Sequence, residues 1–556
     1  MRKTIAVLTS SAAVSLGLAL GPAANAVAAP SVHYGGDLHV VMPWVTIPDN
    51  FNPLNPGTNG STAGGTGSAI YEPLMYANNY TGTITPMLAT AYKWNASGTG
   101  LTLTIRSDVK WSNGSPFSAS DVAFTFNYLK QYPALDTNSL WKTQGLTSAK
   151  ATNATTVVLT FSHPNVVVLP YVLGQLIVPK SLWAKVTNPV TYTNPKPVGT
   201  GPFLLQSYSP TQVNYKKNPD YWMSGRPYIG GITMTAVKSN DTAELLLLNG
   251  DAAYTYDAIT DPNATYVSAS PSTNKYWWPV VALNFLYMNL TEPPFNDVHF
   301  RKAIAEALND NVIAQRAYYG AIPPGNGPVE TGVPNGQDAE WVPSSLSGLE
   351  WTYSPSAAQQ TLTAAGYKDV NGSLENPQGQ VLKTFNILIG SGWTDYISIA
   401  QTIGQELAPL GIHTTIDQQP YSTYASSEDG ATYDMVVSWS NNTPSLSPYY
   451  PLNALLDSNP DTDWERYSNA ADSAALASFA SSPSLTAQKA DMATIEKDIL
   501  TNVPVIALTG RPDFFDYSTK YFTGWPSASD PYNSGEAPDA FSGGAEQLYL
   551  NVHLTK

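Results

Sequence analysis

The chain of 556 residues contains no cysteine. That excludes disulfides, thiolate metal centres and a lipid-modified N-terminal cysteine. Charge is scarce: Asp, Glu, Lys and Arg make up 12% of the residues, about half the usual share. What charge there is leans acidic, for a net −15. No Lys/Arg cluster stands out, which argues against a nucleic-acid partner. The six histidines are scattered, and His33 and His39 fit no metal spacing. Phosphate-binding, zinc-hydrolase and nucleophile-elbow motifs are all missing. No cofactor, metal or catalytic residue is therefore expected. A secreted polysaccharide-degrading enzyme is the rival from another class, since carboxylates are available but no sequence rule pairs them as acid and base.

Long apolar runs are absent too, with one exception. Met1-Arg2-Lys3 precedes an apolar run to about Gly21, and Ala24-Asn25-Ala26 follows. A charged start, an apolar middle and small residues at a cleavage site read as a secretory signal peptide over 1–29. The mature protein is then expected in the periplasm, free outside the cell, or held at the surface by something other than a lipobox cysteine. Ser, Thr, Asn, Tyr and Gly supply the polar surface. The low charge fits an acidic habitat or lineage bias equally well.

The most informative stretch is Leu101 to Leu129. Leu101, Leu103 and Ile105 alternate with Thr102 and Thr104, as in a strand with one buried face. Asn113-Gly114 marks a turn. Ser118 with Asp121 three residues on reads as a capping box, and Val122, Phe126 and Leu129 recur at helical spacing. Taken together with Trp111-Ser-Asn-Gly-Ser-Pro-Phe117, this block resembles the hallmark segment of the family 5 extracellular solute-binding proteins. Further blocks keep the family's order: Gly35-Gly36-Asp37, Phe51-Asn52-Pro53, Ile70-Tyr71-Glu72-Pro73, Pro197-Val-Gly199-Thr200-Gly201-Pro202-Phe203, Lys217-Asn218-Pro219, Phe295 to Leu308, Ala364-Ala-Gly366-Tyr367 and Arg466-Tyr467.

The resemblance implies an α/β fold of two lobes, the type II periplasmic-binding-protein fold with an extra domain and two hinge crossovers. The implied layout is a discontinuous first lobe over 30–65, 190–288 and 508–556, an extra domain over 66–189 and a second lobe over 289–507. The crossovers are expected near Asn284–Leu290 and Pro504–Thr509. The implied role is capture of oligopeptides for an ABC importer by hinge closure, acting as a monomer beside permease subunits and without turnover.

Two segments bear on the ligand. Peptide-binding relatives carry an Asp that pairs with the peptide α-ammonium; the matching position here is Asn442, a neutral amide that lacks such pairing. Ser391-Gly392-Trp393-Thr394-Asp395-Tyr396, together with a loop from Trp44 to Pro56, is similar in form to segments of oligosaccharide-binding relatives. Aromatic faces stack on sugar C–H surfaces, and Asn or Asp satisfies hydroxyls. The candidate binding residues are Trp44, Asn52, Trp393, Asp395, Tyr396, Trp439, Asn441, Asn442 and Tyr449. Core packing is the ordinary alternative for each aromatic. Asp395 or Asp434 could instead take a peptide amine, so oligosaccharide stands beside oligopeptide as the alternative ligand.

Overall fold

The computed structural model describes residues 32–42, 46–55, 66–322, 341, 343–346, 348–439, 447–456, 464–535 and 543–556. Three main sheets organise them. A seven-stranded sheet is ordered Asn274–Tyr276, Asp516–Ser518, Tyr254–Thr255, Asp37–Met42, Gly231–Ala236, Gln212–Lys217, Phe203–Ser209. Its centre pairs Asp37–Met42 in parallel with Gly231–Ala236, Val40 opposite Met234. A four-stranded antiparallel sheet holds Ala89–Trp94, Gly100–Ile105, Thr156–Phe161 and Leu146–Asn153. One apolar cluster runs through both.

The alternation seen in the sequence is realised here. Leu101, Leu103 and Ile105 are buried, and the intervening threonines are not. Gly114 takes positive φ in the following turn. Helix Ala119–Gln131 then starts at the capping box: Ser118 accepts from the first helical turn, and the Asp121 carboxylate accepts from the Ser118 N–H at 3.0 Å. Asp121 also accepts from the Lys180 N–H, which ties the helix start to the chain that returns. The Gly199 block has a steric cause. A Cβ on Gly199 would sit 1.8 Å from the Ile70 carbonyl oxygen, so only glycine allows the two family blocks to touch.

The five-stranded sheet is ordered Thr414–Gln419, Phe385–Gly390, Met435–Trp439, Val280–Met288, Val505–Pro512. Helices cover both of its faces. Leu286 and Met288 enter one apolar cluster; Leu283, Phe285 and Tyr287 enter another. Successive side chains of a strand point to opposite faces, so a doubly covered strand is apolar along nearly its whole length, with buried Asn284 as the exception.

The chain passes between the seven- and five-stranded sheets at Trp277–Pro279 and again at Asp513–Phe515. The two crossings are joined side by side: Trp277 N–H donates to the Phe515 carbonyl and Asp513 N–H to that of Pro279, both at 2.9 Å. Trp278 Nε1 donates to Asp516 Oδ1 at 3.0 Å. The crossovers expected at Asn284–Leu290 and Pro504–Thr509 are corrected by this, because both ranges include paired residues inside the strands of one sheet. Their apolar runs belong to a doubly covered strand, and the connectors proper are three residues rich in Trp, Phe and Pro.

Candidate functional site

Strands Phe385–Gly390 and Met435–Trp439 run parallel, Ile387 opposite Met435. Their carboxyl ends therefore lie at one edge of the sheet, where ligands of open α/β sheets bind. Trp393 follows the first strand and Trp439 ends the second, and their rings are 5.7 Å apart. Tyr424 lies 5.1 Å and Tyr396 5.4 Å from the Trp393 ring. Tyr421 adds a ring at 6.2 Å that is 63% exposed. Both tryptophans are half-buried. Among the described residues neither indole N–H has a hydrogen-bond partner.

Local geometry explains this placement. Gly392 has φ +81°, which turns the chain out of the strand, and a Cβ on Gly390 would meet the Trp393 ring at 2.4 Å. Helix Thr394–Leu407 begins at once, with Asp395 in its first turn. A carboxylate there is favoured by the free N–H groups of the helix start. Burial nevertheless dominates and pushes Asp395 up to about 6, against the lowering effect of N–H donors and of Arg511.

Beneath the rings lies a polar network. Tyr396 hydroxyl donates to Asn284 Oδ1 at 2.7 Å, and Asn284 Nδ2 donates to the Tyr318 hydroxyl at 2.7 Å. Tyr318 reaches Asp395 Oδ2 at 3.5 Å. Tyr424 hydroxyl lies 2.9 Å from Glu428 Oε1, and burial first of all pushes Glu428 up to about 7. Arg511, from the neighbouring strand, places its guanidinium 5.4 Å from the centre of the Trp439 ring.

The structure thus brings Trp393, Asp395, Tyr396 and Trp439 together. Trp44, Asn441 and Asn442 lie outside the described residues. Asn52 is buried within its own loop: Nδ2 donates to the carbonyls of Pro189 and Tyr192, and Oδ1 accepts from Leu54 N–H. Tyr449 stacks on Phe479 at 5.8 Å, toward helix Ala470–Ser481. Asp434 is engaged by Lys383 at 2.7 Å and by the Asn386 N–H. Arg511, Asn284, Tyr318, Tyr424 and Tyr421 were missed. A charge inside the apolar run Val505–Pro512 was the available signal for Arg511; the others come from distant segments and gave none.

Comparison with known proteins follows the same lines. The family model for bacterial extracellular solute-binding proteins, family 5 (middle), matches residues 83–463. The glutathione-binding protein GsiB of Salmonella typhi is 26% identical over 337 residues, 58% of this chain and 61% of its own length. The match thus spans about three-fifths of that relative. Among solved structures, the periplasmic oligopeptide-binding protein of an oligopeptide ABC transporter from Thermotoga maritima superposes with TM-score 0.85 at 24% identity, covering 93% of this chain and 99% of that one. Its mannohexaose-bound form gives 0.81 at 23% identity, with 93% and 98% covered. The oligopeptide-binding protein AppA of Bacillus subtilis, in complex with a nonapeptide, gives 0.72 at 20% identity, with 91% and 99% covered. These likenesses establish the mixed α/β, two-domain periplasmic-binding-protein fold.

Proposed function

The chain belongs to the family 5 bacterial extracellular solute-binding proteins, and from that membership we propose that it is the extracytoplasmic receptor of an ABC importer, capturing oligopeptides without turning them over. The observation that carries this is the half-buried Trp393–Trp439 pair at the carboxyl edge of the five-stranded sheet. Its indole N–H groups find no partner among the described residues, and it stands over a hydrogen-bonded Tyr–Asn–Tyr network that holds the rings in place. The seven- and five-stranded sheets would close on the solute by bending at Trp277–Pro279 and Asp513–Phe515, since contacts made by both lobes favour the closed state. The protein works as a monomer beside permease subunits, delivered outside the membrane by residues 1–29. In this reading residues 30–65, 190–279 and 513–556, with 66–189, form one lobe and its extra domain, and the stretch between the two crossings forms the other, so the limits expected at 288 and 508 move to the crossings.

An oligosaccharide is the second reading. The aromatic pair suits stacking on sugar faces, and Asn442 stands where peptide-binding relatives carry an anchoring Asp. Calorimetry against alanine peptides and mannan oligosaccharides decides between them, with Trp439→Ala as the control for the site. Solution scattering at saturating ligand should show compaction; an unchanged radius counts against closure. Stoichiometric release of shorter products from either ligand set overturns the receptor reading in favour of a hydrolase.

A further inference from the structure

Arg301 and Arg511 are treated oppositely by this fold. Arg301 is buried, and its Nε and both terminal nitrogens donate to the carbonyl oxygens of Asn502, Val503 and Phe295. Arg511 Nη1 is equally cut off from water, yet meets no acceptor among the described residues. No carboxylate neutralises it either, for the ion pairs among the described residues are Arg106–Asp108 and Lys383–Asp434. Asp395 feels its charge from beyond ion-pair distance. A guanidinium donor without acceptor or water is costly. Folding stability gains nothing from that arrangement, whereas a bound acceptor would relieve it.

The position is equally specific. Arg511 stands opposite Ala282 in the strand pair, two residues from the crossing at Asp513–Phe515. Its guanidinium leans over the Trp439 ring, the same ring that faces Trp393. The aromatic face keeps the planar fork oriented; Tyr396 engages the guanidinium from one side, and Nη1 is left for an acceptor oxygen.

We infer that Arg511 makes the site selective for solutes that carry a carboxylate, gripped through Nη1 while the rest of the solute lies along Trp439 and Trp393. This rests on the placement of the solute site argued above. A peptide C-terminus and the uronate of an acidic oligosaccharide both supply the group.

The test is calorimetry with two matched pairs: pentaalanine and its C-terminal amide, mannohexaose and hexamannuronate. In one pair the charged member should bind about tenfold tighter or more than its neutral partner, the scale of one charge-assisted hydrogen bond. Arg511→Gln should erase that difference and leave neutral binding in place; Arg511→Lys should retain part of it, because the charge persists without the fork. The pair that shows the preference identifies the source of the carboxylate. Equal binding within both pairs, a preference that survives Arg511→Gln, or no binding of either charged member overturns the inference. Neutral binding that Trp439→Ala abolishes, with no charge preference, removes the inference but keeps the receptor site. A charge preference that needs Arg511 and ignores Trp439→Ala overturns the shared placement instead. Thermal unfolding of each variant separates lost binding from lost folding.

Discussion

Two groups of stacked aromatic rings differ in what they leave unspent. Tyr254, Phe515, Tyr517 and Trp525 meet at 4.7–6.2 Å in the core beside the seven-stranded sheet. None exposes more than 9% of its surface. The one indole of this group and the Tyr254 phenol are used: Tyr254 hydroxyl donates to the Gly535 carbonyl at 2.8 Å, and Trp525 Nε1 to that of Phe522 at 3.1 Å. Trp393, Tyr396, Tyr424 and Trp439 meet at similar distances. There the phenols are bonded, but the indoles remain half-buried and, among the described residues, without a hydrogen-bond partner, with Arg511 beside them. Ring density alone does not mark a binding surface. Open faces and unused donors, over tyrosines locked from below, do.

The largest expected effect comes from exchanging the roles of the two groups. Phe515→Ala should cost about 3–5 kcal/mol of stability, as large core truncations do. Ligand affinity of the fraction that folds should hardly change. Trp439→Ala should cost less stability and about 1–3 kcal/mol of binding, the scale of exposing one large apolar group. Denaturant unfolding and calorimetry on the same preparations check both. If Trp439→Ala unfolds the protein as far as Phe515→Ala does, the distinction between the groups collapses.

Acid should sharpen the picture next. Every carboxyl with a resolved shift among the described residues is raised, each with burial as its main cause. Near the crossing, burial first of all raises Asp257, to about 8, and Asp516, and the Asp257 charge raises Asp516 further, so the protonated forms are favoured. At the site, Asp395 is pushed up to about 6 and Glu428 to about 7. A carboxyl raised on folding binds its proton more tightly in the native state. Its contribution to stability is full below the unfolded value near 4 and is lost as pH rises through the folded value. The melting temperature should therefore rise between about pH 8 and about pH 5. Glu428→Gln should flatten the part that falls near 7, and Asp257→Asn the part owed to the crossing. A melting temperature that drops steadily over this range would refute the assignment.

Much of the first sheet region was legible because its signals are local. Period-two threonines, Asn113-Gly114 and the Ser118–Asp121 box each act within a few residues, and each appears as read. The family order carried the rest of the fold. The crossings were misplaced because a doubly covered strand and a buried connector are both apolar runs, and nothing local separates Asn284 in a strand from Trp278 beside it. The site was half legible. Trp393 and Trp439 stand out among Ser, Asn and Thr, whereas Asn284 and Arg511 join them only through strand pairing between distant segments, and Tyr318 only from a helix that packs beneath. Asn52 looked like a ligand residue because a loop amide that serves two carbonyls is indistinguishable in sequence from one that faces a solute.

The smallest expected effect isolates orientation from chemistry. Gly390 ends its strand under the Trp393 ring, and an added Cβ would lie 2.4–2.6 Å from three ring atoms. Backbone φ there is ordinary, so the demand for glycine is one of space rather than of conformation. Gly390→Ala keeps every ring and every polar group but must tilt Trp393 away from Trp439. Crowding of this kind costs about 1 kcal/mol or somewhat more, and here it should appear in binding more than in melting, because the half-buried ring can swing outward. A tilt should also change the indole fluorescence of the unliganded protein. The core group offers the contrast: a Cβ on Gly535 would lie 2.6 Å from the Phe515 Cβ, Gly535 also holds φ +86°, and Gly535→Ala has no open side into which that ring can move. It should therefore lose stability and leave affinity alone. Equal losses of affinity in the two variants would mean that the Trp393 face is no more available to a solute than the Phe515 face.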